Sequence, residues 1–266
     1  MPNIRPPAVA GSFYPDDANT LAADVRTLLA APVAVSLAPK ALIVPHAGYM
    51  YSGPVAASAY ASLRTVASRI RRVILLGPTH RVPVLGMALP DADTFSTPLG
   101  QVRLDTDAMQ AIAALPQVTV SAPVHAFEHA LEVQLPFLQI VLDDFTLLPL
   151  AVGDASAQEV AEVLQLVWGG AETLIVISSD LSHYLPYEVS KLVDQKTAND
   201  ILKLRPGITH DEACGATPIN GLLLAARQHH LSPHLLDLRN SGDTAGPRDG
   251  VVGYAAFAFC EEKNHV

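Results

Sequence analysis

Short, continuous apolar runs alternate with longer amphipathic stretches along the whole chain, and this alternation leaves few ways to fold. The runs lie at residues 41–45, 72–77, 145–150, 173–178 and 251–259. Each is mostly rich in Val, Ile or Leu, which is how strands covered on both faces read. Between them, periodic stretches predict helices over 19–30, 54–65, 106–114, 130–141, 157–167, 189–204 and 216–229. Pro54 suits the first position of its helix. Residues 94–103 have a different texture, with a Pro98-Leu99-Gly100 turn between strand-like arms, and predict a hairpin. No segment repeats and no linker-like stretch divides the chain. The expectation is one α/β domain over residues 1–266, with a mostly parallel central sheet flanked by helices.

Composition narrows the function classes. Half of the 266 residues are hydrophobic, too many for a disordered chain. The formal net charge of −9 disfavours nucleic acid and anionic membrane surfaces as partners. The start of the chain, Met1-Pro2-Asn3-Ile4-Arg5-Pro6-Pro7, has no apolar core of a signal peptide. Cys214 and Cys260 are too few for a disulfide framework. The apolar run at 251–260 is about half the ~20 residues that a spanning helix needs. A cytoplasmic protein is the expectation.

In open α/β sheets, sites form beyond the carboxyl ends of the strands. The first run is followed by His46 and a Gly-rich loop, the second by Pro78-Thr79-His80, and the fourth by Ser179-Asp180-Leu181-Ser182-His183. His46 and His80 are either two loop histidines bonded to neighbouring carbonyls or parts of one metal or catalytic site. Asp180 and His183, three apart, read as a carboxylate orienting a general base or as a helix cap beside an incidental histidine. Cys214 precedes an apolar helix, whose N-terminus is expected to lower the thiol pKa. The alternative is an inert buried cysteine, which is also the reading for Cys260. The Arg69, Arg71, Arg72 and Arg81 cluster reads as solvated strand ends.

Residues 125–129 spell His-Ala-Phe-Glu-His, the H-x-x-E-H pattern of one metallopeptidase class. On a helix it would place two histidines on one face. A loop running into a helix, with these residues outside a catalytic set or supporting one, is the plainer reading. Dinucleotide, P-loop, nucleophile-elbow and zinc-finger signatures are absent from the sequence.

Together these segments carry a family resemblance. Residues 5–15 (RPPAVAGSFYP), 45–53 (PHAGYMYSG), 76–80 (LGPTH), 128–137 (EHALEVQLPF) and 178–184 (SSDLSHY) form an ordered set. Cys214-Gly215, residues 240–243 (NSGD) and 252–255 (VGYA) complete it. The set resembles the Memo family, also called AmmeMemoRadiSam system protein B, which is similar in fold to class III non-haem iron extradiol dioxygenases. That resemblance implies His46, His80 and Cys214 as metal ligands, Asp180 and His183 as catalytic pocket residues, and Tyr51 and Phe13 as substrate-lining aromatics. Phe13 stands where some members carry Trp, and Gln134 where some carry His.

The dioxygenases complete their two-His triad with a carboxylate. A sulfur in its place suits copper or zinc, with iron still compatible. The implied function is a metal-dependent, redox or oxygen-using enzyme acting on an unidentified small molecule. The alternative is a binding or scaffold protein that uses the same pocket for peptides or small molecules. A third reading is a hydrolase built on residues 178–183 or 125–129. The family name also suggests an AMMECR-type protein and a radical-SAM protein as pathway partners.

Overall fold

A computed structural model describes residues 3–31 and 37–261. The remaining residues of the expected 1–266 domain, including Met1 and Pro2, lie outside the described ones. In chain order the first elements are β1 (Ile4–Arg5), α1 (Ala18–Leu29), β2 (Pro39–Val44), α2 (Tyr49–Ala61) and β3 (Arg72–Pro78). Then come β4 (Met87–Leu89), β5 (Thr94–Thr97), β6 (Gly100–Arg103), α3 (Thr106–Ile112), β7 (Val118–Val120), α4 (Ala122–Ala126) and α5 (Leu135–Val141). The last are β8 (Thr146–Val152), α6 (Ala157–Val167), β9 (Thr173–Ser178), β10 (His183–Leu185), α7 (Tyr187–Leu202), α8 (Ala216–Gln228), β11 (Leu231–Asn240) and β12 (Val251–Glu261).

A large sheet runs β10-β12-β2-β9-β3-β8-β4-β7, with β11 on the outer side of β12. Its four middle strands, β2-β9-β3-β8, are parallel, in the register Ala41↔Ile175, Ile74↔Ile175 and Ile74↔Leu148. Antiparallel pairings at β12 and β4 flank them, so the sheet as a whole is mixed. The predicted hairpin forms as β5–β6 and joins β1 in a small second sheet.

The continuous apolar runs have a direct cause. Alternate residues of each middle strand enter two different cores. Leu42, Val73, Leu75, Leu174 and Val176 pack with Leu21, Val25, Val55 and Phe137 of α1, α2 and α5. Ile43, Ile74, Leu76, Ile175 and Ile177 pack with Val160, Leu164, Ile201 and Leu222 of α6, α7 and α8 on the other face. Neither face of these strands meets water, so neither carries a polar alternation.

Three local expectations are corrected. The second helix starts at Tyr49, not at Pro54, because the Phe13 carbonyl accepts the Tyr49 N–H and starts the turn early. Pro54 therefore sits inside the helix and deprives the exposed end at Met50 of one backbone donor. The helix predicted over 130–141 is helical only from Leu135, after a 3₁₀ turn at Glu132–Gln134. Strand β11 was masked by Pro233, Asp237 and Arg239. It is an edge strand bonded to β12 alone, where a proline and charges are tolerated.

Lys40, at the start of β2, is buried. Its ammonium donates to the carbonyls of Trp168 (2.7 Å), Gly170 (2.8 Å) and Thr173 (3.0 Å), closing the end of α6. Burial pushes its pKa down to about 8. Lys40→Met removes the ammonium donor from those carbonyls, and an equilibrium urea titration is expected to show a loss of about 1–3 kcal/mol. Unchanged stability would mean that the carbonyls do not depend on the ammonium.

Candidate metal centre

Three strand ends converge. His46 follows β2, His80 follows β3, and Asp180 and His183 follow β9. The His46 and His80 rings stand edge-on with centroids 5.2 Å apart. A third ring, His129, lies 5.4 Å from His46 and 4.6 Å from His80. One ligating nitrogen from each of the three lies within 4.8 Å of the others, a spacing that one metal ion can bridge.

The donor set suits an ion. Burial first, and then the neighbouring imidazoles, lower the pKa of His46 to about 3 and of His129 to about 4. Both rings are therefore neutral at pH 7, with a lone pair available. His129 Nδ1 is buried and makes no hydrogen bond, although it lies 3.4 Å from the Glu128 carboxylate.

His80 and His46 are held from behind. Glu128 is buried, and its carboxylate accepts from the His80 backbone N–H (2.6 Å), from His80 Nδ1 (2.9 Å) and from the Ala130 N–H (2.9 Å). Burial works to raise the Glu128 pKa, but the His80 and Ala130 bonds together outweigh it and hold the group at about 2. His46 Nδ1 lies 2.8 Å from Ser178 Oγ. The Glu128 segment is itself anchored: Arg5 of β1 donates to the carbonyls of Glu128 (2.7 Å) and His125 (3.1 Å) and pairs with Glu132.

Cys214 Sγ is 3.4 Å from His46 Nε2, yet it falls outside the three-imidazole cluster. The expected low thiol pKa is not found. Burial, then the nearby Asp180 carboxylate, push it up to about 12, and these outweigh the N-terminus of α8. Asp180 does not hydrogen-bond His183, as the sequence reading expected. Its carboxylate accepts the His46 backbone N–H at 2.7 Å. Burial raises the Asp180 pKa. His183 opens β10, partly exposed and close enough to influence both His46 and Asp180.

Phe13 packs on the His129 ring at 4.8 Å, and Tyr51 lies in the first turn of α2. The helical H-x-x-E-H arrangement is not formed, because α4 stops at Ala126 and the chain turns at Phe127. His125 points away and bonds the Ala88 carbonyl at 2.8 Å. His129 turns inward instead. Its signal was present in the Glu128-His129-Ala130 segment, but the position of the turn could not be read locally. The arginine cluster is only partly solvated, since Arg72 pairs with Asp105 at 2.5 Å.

The family described as Memo-like protein matches residues 5–258. The chain belongs to that family. A MEMO1 family protein of Metallosphaera sedula is 33% identical over 282 residues, covering 97% of this chain and 99% of its own. The MEMO1 family protein of Aquifex aeolicus is 34% identical over 268 residues, covering 96% and 99%. A crystal structure of the uncharacterized protein JW3007 from Escherichia coli K12 matches with a TM-score of 0.51 and 14% identity, over 82% of this chain and 98% of that one. That likeness extends to the fold alone. Within this Memo-like chain, no described helix is long and apolar enough to cross a membrane.

Proposed function

We propose that this Memo-like protein binds a transition-metal ion through His46, His80 and His129, with Cys214 as an adjacent thiol that joins when the ion displaces its proton. The observation that carries this reading is the meeting of three imidazole nitrogens within 4.8 Å. Imidazole donors beside a soft sulfur suit zinc or copper, with iron also compatible. The His-His-Cys set implied by the family resemblance shares two of these ligands.

The activity we infer is metal-dependent, redox or oxygen-using chemistry on a small molecule. The bound ion would supply Lewis acidity or electron transfer. His183 is the proton carrier of the set, because it is partly exposed beside the cluster. Asp180 positions His46 through its backbone N–H. Phe13 and Tyr51 line the approach.

Metal analysis of purified protein, with anomalous scattering to identify the element, tests the reading. Wild type is expected to carry a stoichiometric ion. His46→Ala and His80→Ala are expected to weaken binding by more than the roughly 10–100-fold typical of losing a supporting residue. His129→Ala and Cys214→Ser then decide the third ligand. Retention in His129→Ala with loss in Cys214→Ser would favour the His-His-Cys set. Full retention in both His46→Ala and His80→Ala would remove the metal centre.

A further inference from the structure

A clamp built on one loop decides which nitrogen of each strand-end histidine faces the cluster. Ser178 Oγ has a single proton, and it donates that proton to the Ala130 carbonyl at 2.6 Å. Gln134 Nε2 donates to the same Oγ at 2.9 Å. The orientation of Gln134 is set independently. Its Nε2 also donates to the Pro45 carbonyl (2.9 Å), which can only accept, and its Oε1 accepts from Tyr60 Oη (2.8 Å). With its proton committed to Ala130, Ser178 Oγ can only accept from His46, so His46 Nδ1 must carry the hydrogen.

The same loop acts on the second ring. Both Glu128 oxygens accept backbone N–H groups, and Oε1 also meets His80 Nδ1. A carboxylate so placed makes Nδ1 the protonated nitrogen of a neutral His80 as well. Ala130 thus serves both halves, its N–H on Glu128 and its carbonyl on Ser178. β3 packs closely on this loop at Gly77. A Cβ there would lie 3.2 Å from Ala130 Cβ, 3.1 Å from Leu131 Cδ2 and 3.3 Å from Ser178 Cβ.

We infer that Glu128, Ala130, Ser178 and Gln134 form a tautomer clamp that holds neutral His46 and His80 in the Nδ1–H form and presents both Nε2 lone pairs to one point. Ser178 and Glu128 are positioning residues in this assignment. The inference deepens the metal reading, since an imidazole ligates through its unprotonated nitrogen and a rigid second partner strengthens that ligation. The clamp itself is a property of the metal-free chain.

Long-range proton–nitrogen correlation spectra of histidine-labelled, metal-free protein test it, with His46→Ala and His80→Ala spectra for assignment. At a pH where the rings are neutral, both are expected to show a protonated Nδ1 and a bare Nε2. Ser178→Ala removes the acceptor for His46 and is expected to give a mixed or reversed tautomer at His46 alone. It should also weaken zinc binding by roughly 10–100-fold. Ser178→Thr keeps the hydroxyl and is expected to restore the wild-type pattern. An Nε2–H tautomer at either histidine in wild type would overturn the clamp, whether or not the protein binds metal. An unchanged His46 pattern in Ser178→Ala would overturn the role of Ser178. If Ser178→Ala fails to fold, the wild-type spectrum decides. Clamped tautomers in a protein that takes up none of zinc, copper and iron would uphold the clamp and remove only the metal reading.

Discussion

Glu132→Ala is expected to lower folding stability by about 3–5 kcal/mol, the usual cost of stranding one partner of a buried ion pair. Glu132 has no exposure to solvent, and the Arg5 side chain is only 5% exposed. The carboxylate pairs with the Arg5 guanidinium and accepts from the N–H groups of Ala8 (2.7 Å) and Val9 (3.0 Å) and from the Tyr14 hydroxyl. Alanine removes every one of these acceptors and leaves a buried cation behind. At roughly 2–4 °C per kcal/mol for a chain near this size, the melting temperature should fall on the order of 6–20 °C. The double variant Arg5→Ala with Glu132→Ala should lose less than the two single losses summed, because the partners share one interaction. Additive losses in that cycle would show that the two side chains are not coupled. The damage is also expected to reach the histidine cluster, because Arg5 holds the carbonyls of His125 and Glu128.

Gly253→Ala is the second large effect, and its origin is steric. A Cβ at Gly253 would lie 2.1 Å from Asp194 Oδ2 and 2.5 Å from its Cγ. Asp194 has nowhere inexpensive to go. It is buried, its Oδ1 accepts the Ser182 N–H (3.1 Å) and its Oδ2 accepts the Ser190 hydroxyl (2.8 Å). The backbone of Gly253 is committed as well, donating to the Ser182 carbonyl and accepting the Leu181 N–H, each at 2.8 Å. Overpacking of about 1–3 kcal/mol adds to about 1–3 kcal/mol for a buried group left unpaired. A total of about 2–6 kcal/mol is expected in urea unfolding. Leu181 and Ser182, which bond Gly253 and Asp194, lie between Asp180 and His183, so the His183 resonances should shift while those of His80 stay in place. Wild-type stability in Gly253→Ala would mean that Asp194 does not anchor this loop.

Much of the architecture was legible because its causes are local. A strand covered on both faces is apolar through its middle, as residues 41–44, 73–76 and 174–177 are in the runs leading into His46, His80 and Asp180. The capped helix over 157–167 could be read for the same reason, since Ser156 and Glu159 form their capping box within four residues of chain. Strand β11 escaped because an edge strand need not be apolar throughout. The start of α2 escaped because it depends on Phe13, which lies 36 positions away from Tyr49. The thiol of Cys214 was misread for a related reason. Its nearness to a helix N-terminus is visible in the chain, but its burial and its nearness to Asp180 are not.

The sequence by itself determined the α/β class, the family and the gathering of His46, His80 and the 180–183 segment at one end of the sheet. Those follow from strand pattern and strand direction, which nearest neighbours in the chain impose. Only the tertiary structure decided that His129 turns into the cluster while His125 turns away, and that Cys214 reaches His46 but stays outside the three-imidazole cluster. The turn at Phe127 is held by Arg5 and Ser178, which come from distant parts of the chain. A contact between residues more than a hundred positions apart is fixed by how whole elements pack, and no local pattern encodes it.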